Sequence, residues 1–412
     1  MMRMRTTRTL HRARTIAGAL FLAGALVPAT LVAQGPASTA QPTETEEHID
    51  GPTYARVALG FTQIYDDNVF VVANSQRPQS DLVSRFGPTF EVGRRSRRLD
   101  LTAKYGLAAE RYAERIDLNT DLAYQDGGFR IRYNATPLTI YNVDAQYVDT
   151  QTAQDLNLMT GIAAGRGRAE RLMARGRVAH DLTRITNLNL NYEVANDTFA
   201  ETNTNLRQEA KLGLAWIASR RMSYRLDVRA RYVTFNFERQ NEFGLKFRDL
   251  GAQNSQALTG GLTYALTQLT TVEIDGGPRL TAGDWTPEFA GTIRRRNQKG
   301  EISAGYSSSQ DTAIGEPGLL DVKRVFARLS VTPVRVLMMS ATPAFAKSRG
   351  LGQDLGRSTD VRELDVDIVI QVLRRWSFGA AARVSDQRVE LNGVNDPIES
   401  RRLWLTTTLT LP

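Results

Sequence analysis

The sequence predicts an all-β protein: a transmembrane, antiparallel, up-and-down β-barrel of about eighteen strands, with sixteen as the next count. Three observations predict it. The body of the chain alternates apolar and polar residues with period two, short polar turns alternate with longer polar loops, and an apolar leader precedes the body. Barrels of this class have an even number of strands, short periplasmic turns and longer extracellular loops.

The first element is an export signal. Residues 1–33 carry five arginines and no acidic residue, and their apolar stretch over 15–33 is followed by small residues. This is the layout of a secretory signal peptide, with cleavage after Ala33 or, alternatively, after Ala40. Pro28 interrupts the apolar stretch, which disfavours a membrane anchor. Residues 34–52 are predicted to be a polar periplasmic linker, and residues 53–412 the barrel.

The strands follow from alternation along the whole body. In residues 224–232 one face carries Tyr, Leu, Val, Ala and Tyr, while the other carries three arginines and one aspartate. Residues 187–194 and 363–372 alternate in the same way. A helix would spread such residues around its circumference, so strands are the consistent interpretation. Eight short turns and nine longer loops then delimit the strands and place both ends of the barrel on the periplasmic side.

Soluble all-β folds compete with this interpretation. A sandwich would bury the apolar faces in a core, but the array is long and regular and has no helices to cover it. A β-propeller would repeat a signature every ~40–45 residues, and no such motif recurs. The alternation therefore favours apolar faces that contact lipid and polar faces that enclose a lumen.

Composition argues against an enzyme or a metal protein. The chain has no cysteine and three histidines, which excludes disulfides and Cys-liganded metals and disfavours most His-based sites. His180 and Asp181 lack a nucleophile signature, and the Asp66-Asp67-Asn68 tripeptide lacks the further ligands of a calcium loop, so a solvated loop tip is favoured there. No catalytic residue, cofactor, metal or nucleic-acid partner is predicted. The net charge of +8 includes the basic leader.

A charged lumen is the predicted functional site. A barrel of this size leaves an aqueous channel unless loops plug it, and charged side chains set its selectivity. The alternative is that arginines and acids pair across neighbouring strands as scaffold, and their near-equal numbers favour pairing for most of them. The residues predicted to line an anion path are Arg175, Arg177, Arg225, Arg229, Arg231, Arg130 and Arg132.

The last strand resembles the signal that the outer-membrane barrel assembly machinery reads. Its outward face is predicted to carry Leu405, Leu409 and Leu411. That signal usually ends on an aromatic residue, whereas this chain ends on Pro412.

The opening of the barrel carries a family resemblance. The first strand runs into Tyr-Asp-Asp-Asn-Val-Phe over residues 65–70, and Ser-Asp-Leu over 80–82 precedes a strand that contains Phe-Gly-Pro over 86–88. This layout resembles the bacterial β-barrel porin 2 group of exopolysaccharide-associated outer-membrane barrels. The resemblance implies an outer-membrane location and a role in surface-polymer export, and it implies no catalytic residues.

Three functions stay open from the sequence. The first is a channel, for export of an anionic exopolysaccharide or for diffusion of small anionic solutes. The second is a structural or adhesive barrel with a plugged lumen, and the third and least favoured is a barrel enzyme. The expected partners are outer-membrane lipid, lipopolysaccharide, the assembly machinery and a polysaccharide.

Overall fold

The computed structural model describes residues 53–240, 246–351, 358–391 and 394–411, so the predicted signal peptide and linker lie outside the described residues. These residues form eighteen strands and three short 3-10 helices. The strands are β1 (Thr53–Asp66), β2 (Asp81–Arg95), β3 (Leu99–Tyr112), β4 (Thr120–Thr136), β5 (Thr139–Thr152), β6 (Arg166–Asp181), β7 (Thr186–Phe199), β8 (Asn203–Ser219), β9 (Met222–Gln240), β10 (Lys246–Ala265), β11 (Thr270–Thr281), β12 (Asp284–Asn297), β13 (Gly300–Asp311), β14 (Leu320–Val334), β15 (Leu337–Gly350), β16 (Ser358–Leu373), β17 (Trp376–Leu391) and β18 (Val394–Leu411). The 3-10 helices span Asn74–Gln76, Ile116–Leu118 and Ala153–Asp155.

The strands close into one antiparallel barrel. Each strand pairs with its neighbours in sequence, and β18 pairs with β1 to complete the ring. Val57 lies opposite Leu411, so the first and last strands meet near the end of the barrel that carries the short turns. The predicted up-and-down topology and the count of eighteen are therefore confirmed. No helix in the described ranges is long and apolar enough to cross a membrane.

The strands extend further toward the long-loop end than the alternation predicts. The alternation predicts loops over residues 238–254 and 284–287, yet β9 continues to Gln240, β10 starts at Lys246, and β12 already includes residues 284–287. On β9 the alternation reverses beyond the apolar band: Val233 and Phe237 on the inward face are buried, whereas the outward Thr234 and Asn236 are polar, and the ladder of backbone hydrogen bonds continues. The β11–β12 connection is a tight turn in which Ala282 and Gly283 have φ values of 51° and 96°.

The outward face carries an apolar band around the barrel. Its members include Leu59, Phe90, Leu190, Val228, Ile302 and Leu405, which are 44–56% exposed. On β16 to β18 the band ends at Leu364, Val384 and Leu403, and the next positions toward the long loops are the charged residues Arg362, Asp386 and Arg401. The surface thus changes from apolar to charged between consecutive outward positions of the same strands.

Candidate functional site: a lumen crossed by two loops

Residues 153–165, which we call the crossing loop, leave the wall between β5 and β6 and reach the opposite wall. In an eighteen-strand ring β14 and β15 lie opposite β5 and β6. The crossing loop meets β14, where Arg324 Nη1 donates to the Leu158 carbonyl. It also meets β17, where Gln154 Nε2 donates to Ser385 Oγ at 3.1 Å and the Ala163 backbone N–H donates to Gln387 Oε1 at 2.6 Å. The connection therefore runs across the lumen instead of projecting away from the barrel.

A buried ionic cluster fastens the crossing loop to this far wall. Asp155 Oδ1 lies 3.4 Å from Arg383 Nη1 and 3.3 Å from Arg402 Nη1. The Arg383 side chain is only 2% exposed, and Asp365 Oδ1 also accepts from it at 2.8 Å. Arg402 makes a second ion pair, with Asp66 at 2.8 Å. Because both guanidinium groups are withdrawn from water, the Asp155 carboxylate compensates charge that would otherwise be costly to bury.

Residues 312–319, which we call the facing loop, enter the lumen from between β13 and β14. Asn205 on β8 holds this loop through two backbone groups: its Nδ2 donates to the Glu316 carbonyl at 2.8 Å, and its Oδ1 accepts from Gly318 N at 3.2 Å. On β10, Gln253 Oε1 accepts from Leu319 N at 2.6 Å. The facing loop therefore bridges strands that are several positions apart in the ring.

The two loops bind each other inside the barrel. Asn157 Nδ2 donates to the Ile314 carbonyl at 3.0 Å, and Asn157 Oδ1 accepts from Ile314 N at 2.7 Å. Two buried apolar clusters surround this contact, and Ala153 and Ala313 within them are 0% exposed. The clusters comprise Val148, Ala153, Leu156, Ala169 and Ile314, and Ile162, Ala313, Leu320, Val322 and Val361. Packed protein thus occupies the lumen at its long-loop end.

A third connection, residues 67–80, also folds against the wall. Asn68 is 0% exposed. Its Nδ2 donates to the carbonyls of Val72 and Glu399 at 2.8 and 2.9 Å. Burial raises the pKa of the Asp67 carboxyl, although the Arg401 backbone N–H that donates to it opposes the shift. The expected solvated loop tip at Asp66-Asp67-Asn68 is therefore wrong, because the Asn68 side chain is buried and hydrogen-bonds to backbone carbonyl groups. Within the described ranges no group of three or more acidic or histidine side chains is arranged to hold a metal ion.

Five of the seven arginines predicted to line an anion path are paired with carboxylates. Arg175 pairs with Glu193, Arg225 with both Asp227 and Asp275, Arg229 with Glu288, Arg231 with Glu209, and Arg130 with Asp144. These contacts agree with the alternative in which arginines and acids pair as scaffold, and they include Arg225, Arg229 and Arg231 on β9. An anion path along them stays a prediction.

Arg132 and Arg177 differ from the other five. In the part of the chain that the structure describes, neither makes an ion pair, and Arg177 Nε donates to Asn191 Oδ1 at 2.9 Å. Register places both residues in one row of the lumen wall, with Asn142 between them on β5. These two are the cationic side chains in the predicted set that lack an acidic partner.

Comparison with known proteins yields distant structural likenesses. No protein-family model matches the chain and no curated protein matches it. Among solved structures, Pseudomonas aeruginosa OpdQ is 12% identical over 87% of this chain and 98% of its own, with a TM-score of 0.44. OccK11 (OpdR) of the same organism is 12% identical over 87% and 96%, at 0.43. The siderophore receptor PirA, also from that organism, is 8% identical over 87% and 80%, at 0.42. The resemblance to the β-barrel porin 2 group stays a prediction.

Proposed function

We propose that the chain is a bacterial outer-membrane β-barrel channel for small anionic solutes, in which the crossing loop must move for a solute to pass. The observation that carries the proposal is the exposed apolar band on a closed barrel whose interior is charged. Soluble proteins rarely expose contiguous apolar patches above a few hundred Å². Lipid accepts such a surface, and a closed ring leaves no unpaired strand edge in hydrocarbon.

The two ends of the barrel differ in loop length, which supports one orientation of the barrel in the membrane. Short turns are periplasmic and long loops extracellular in this class of barrel, which directs the crossing and facing loops toward the cell exterior. The charged outward row at Arg362, Asp386 and Arg401 then lies at the level of lipopolysaccharide headgroups. Leu405, Leu409 and Leu411 face outward on the last strand, where the assembly machinery would read them.

The interior favours small solutes over a polymer. The crossing loop contacts walls on both sides of the lumen, so a polysaccharide strand would require its complete displacement. Export of an exopolysaccharide is supported by the family resemblance alone. Near the short-turn end Arg132 and Arg177 supply positive charge that no acidic side chain of the described chain pairs, which favours anions.

A structural or adhesive barrel is the second candidate. The two apolar clusters between loops and wall favour it, because permanent burial of these side chains would make the loops a plug. In that case the extracellular surface would carry the activity. An enzyme has no comparable support among the described side chains.

Reconstitution in planar bilayers tests the proposal. We expect discrete conductance steps and, under a potassium chloride gradient, a reversal potential that shows chloride preference. Steps with cation preference would overturn the anion assignment. A complete absence of steps from protein that shifts on a gel when heated, and is therefore folded, would favour the structural barrel.

The membrane assignment itself predicts that an arginine substitution destabilises the barrel on one face of β18 and not on the opposite face. Leu405 faces outward and is 56% exposed, whereas Thr408 faces the lumen. Replacing Leu405 with Arg should cost about 2–4 kcal/mol of stability in the bilayer, since an arginine near the midplane is costly on the lipid face. Thr408→Arg should be tolerated. Urea titration in lipid vesicles measures both variants, and equal effects would contradict lipid contact.

A further inference from the structure

We propose that the lumen wall of β4 to β7 binds a hydroxylated organic acid, such as a sugar acid. Arg132 and Arg177 would hold the carboxylate, and Asn142 and its neighbouring asparagines would accept from the hydroxyl groups. The inference rests on the proposed anion channel and names the class of solute that it would take. It is carried by a row of side chains near the short-turn end of the lumen.

Register brings these side chains together. In the register of the sheet, Arg132 lies opposite Asn142, Asn142 opposite Arg177, and Arg177 opposite Asn191. Four neighbouring strands therefore contribute to one row. Adjacent strands lie about 4.8 Å apart, which separates the two arginine backbones by about 10 Å. Arginine side chains are long enough for both guanidinium groups to reach one carboxylate in front of Asn142.

The row has a positive charge that the adjacent row lacks. One row toward the long loops, Arg130 lies 3.0 Å from Asp144, and Arg175 pairs with Glu193. In the row of Arg132 and Arg177 the residue between the arginines and the residue beside Arg177 are asparagines. The residue beside Arg132 on β3 is Asp100, which pairs with Arg95 at 3.5 Å. The wall thus presents two cations together with neutral amides, which suits an anion better than it suits a neutral sugar.

Hydrogen bonding orients the row and leaves three amide oxygens without partners. Arg177 Nε donates to Asn191 Oδ1 at 2.9 Å, which fixes the guanidinium plane and directs its terminal nitrogens away from that contact. The side-chain oxygens of Asn134, Asn142 and Asn189 are buried and have no hydrogen-bond partner among the described residues. A buried acceptor without a partner costs about 1–3 kcal/mol, which favours rotation of these amides about their Cβ–Cγ bonds so that the oxygens face the lumen and accept from a ligand hydroxyl.

These features together select the ligand class. A guanidinium group forks onto a carboxylate through two parallel hydrogen bonds. Amide oxygens accept from hydroxyl groups, which a simple carboxylate such as acetate does not offer. The wall is therefore complementary to a molecule that carries both groups.

The site is accessible while the two loops remain docked. The Arg130 side chain, one position along the same strand face, is 72% exposed, so water reaches this part of the lumen. The crossing and facing loops make their contacts with β17, β8 and β10. Binding can therefore be measured separately from conduction.

Calorimetric titration of the folded full-length barrel in detergent tests the site, with D-gluconate as the probe and glucose and acetate as comparisons. We expect gluconate to bind at least about tenfold more tightly than either comparison. Arg132→Gln and Arg177→Gln should each weaken gluconate binding, and the double variant should weaken it by about tenfold or more. Arg294→Gln, in the same lumen but 3.5 Å from Glu301 and outside the predicted anion path, is the matched control and should bind like the wild type.

Three results would overturn the site: equal affinity for gluconate and glucose, no gluconate binding by folded wild type, or unchanged binding in the double variant. Each variant is checked by its heat-dependent gel shift, and the single variants serve if the double variant does not fold. Gluconate binding without bilayer conductance would retain the site and refute the channel. Conductance without gluconate binding would do the reverse.

Discussion

Replacing Asp155 with Lys should displace the crossing loop and raise single-channel conductance several-fold. The carboxylate now lies within 3.4 Å of the guanidinium groups of Arg383 and Arg402. An ammonium group at this position would repel both, in a place where the arginine side chains are 2% and 5% exposed and water screens them poorly. Loss of the hydrogen bonds to these charged partners alone should destabilise the docked loop by roughly 1.5–3 kcal/mol.

The matched control is Asp117→Lys. Asp117 also follows a strand on the long-loop side and pairs with an arginine, Arg115 at 3.1 Å, but its side chain is 60% exposed. The same change of charge there should leave conductance as it is. If Asp155→Lys folds, shifts on heating and conducts like the wild type, then the crossing loop does not limit passage.

The strands were predictable because a barrel wall imposes a period of two on every segment. Each outward residue meets one environment and each inward residue another, so single positions such as Leu405 and Trp404 could be assigned to a face from sequence alone. That signal fades beyond the apolar band. The end of β9 was misjudged because its outward residues turn polar while the backbone ladder continues. The start of β12 was misjudged because Asp284 and Pro287 favour a loop.

The inward loops were not predicted, although the sequence carried a signal for them. Residues 153–165 contain Leu156, Leu158, Met159 and Ile162, and the facing loop contains Ile314 and Leu319. A loop that only projects into water would not repeatedly carry large apolar side chains, since their burial is worth about 1.5–3 kcal/mol each. Such residues between two strands of a barrel indicate a loop that returns to the lumen.

Which carboxylate each arginine pairs with depends on three-dimensional geometry that the alternation of apolar and polar residues does not contain. The lumen faces of Arg225 and Arg229 followed from alternation, but Arg229 pairs with Glu288 on β12, three strands further along the ring. Such a contact is set by strand stagger and side-chain length across a curved wall. Sequence alone could therefore state which side of the wall is charged but not which charges are compensated.

A disulfide between the crossing loop and β16 should abolish most of the conductance. A Cβ atom on Gly161 would lie 3.5 Å from Val361 Cβ, within the range of Cβ–Cβ distances found in disulfides. The native chain contains no cysteine, so the double variant Gly161→Cys/Val361→Cys would have a single possible intramolecular bond. Oxidation should hold the loop across the lumen, and a reductant should restore conductance in the same membrane.

The single variants separate locking from strain. Gly161 has φ of +66°, so a side chain there costs about 1–2 kcal/mol even without a bond. Gly161→Cys alone should therefore loosen the loop slightly and respond to neither oxidant nor reductant. Full conductance through an oxidised double variant, with the bond verified by mass spectrometry, would mean that solutes pass beside a stationary loop. Conductance that falls on oxidation and returns on reduction would identify residues 153–165 as the gate.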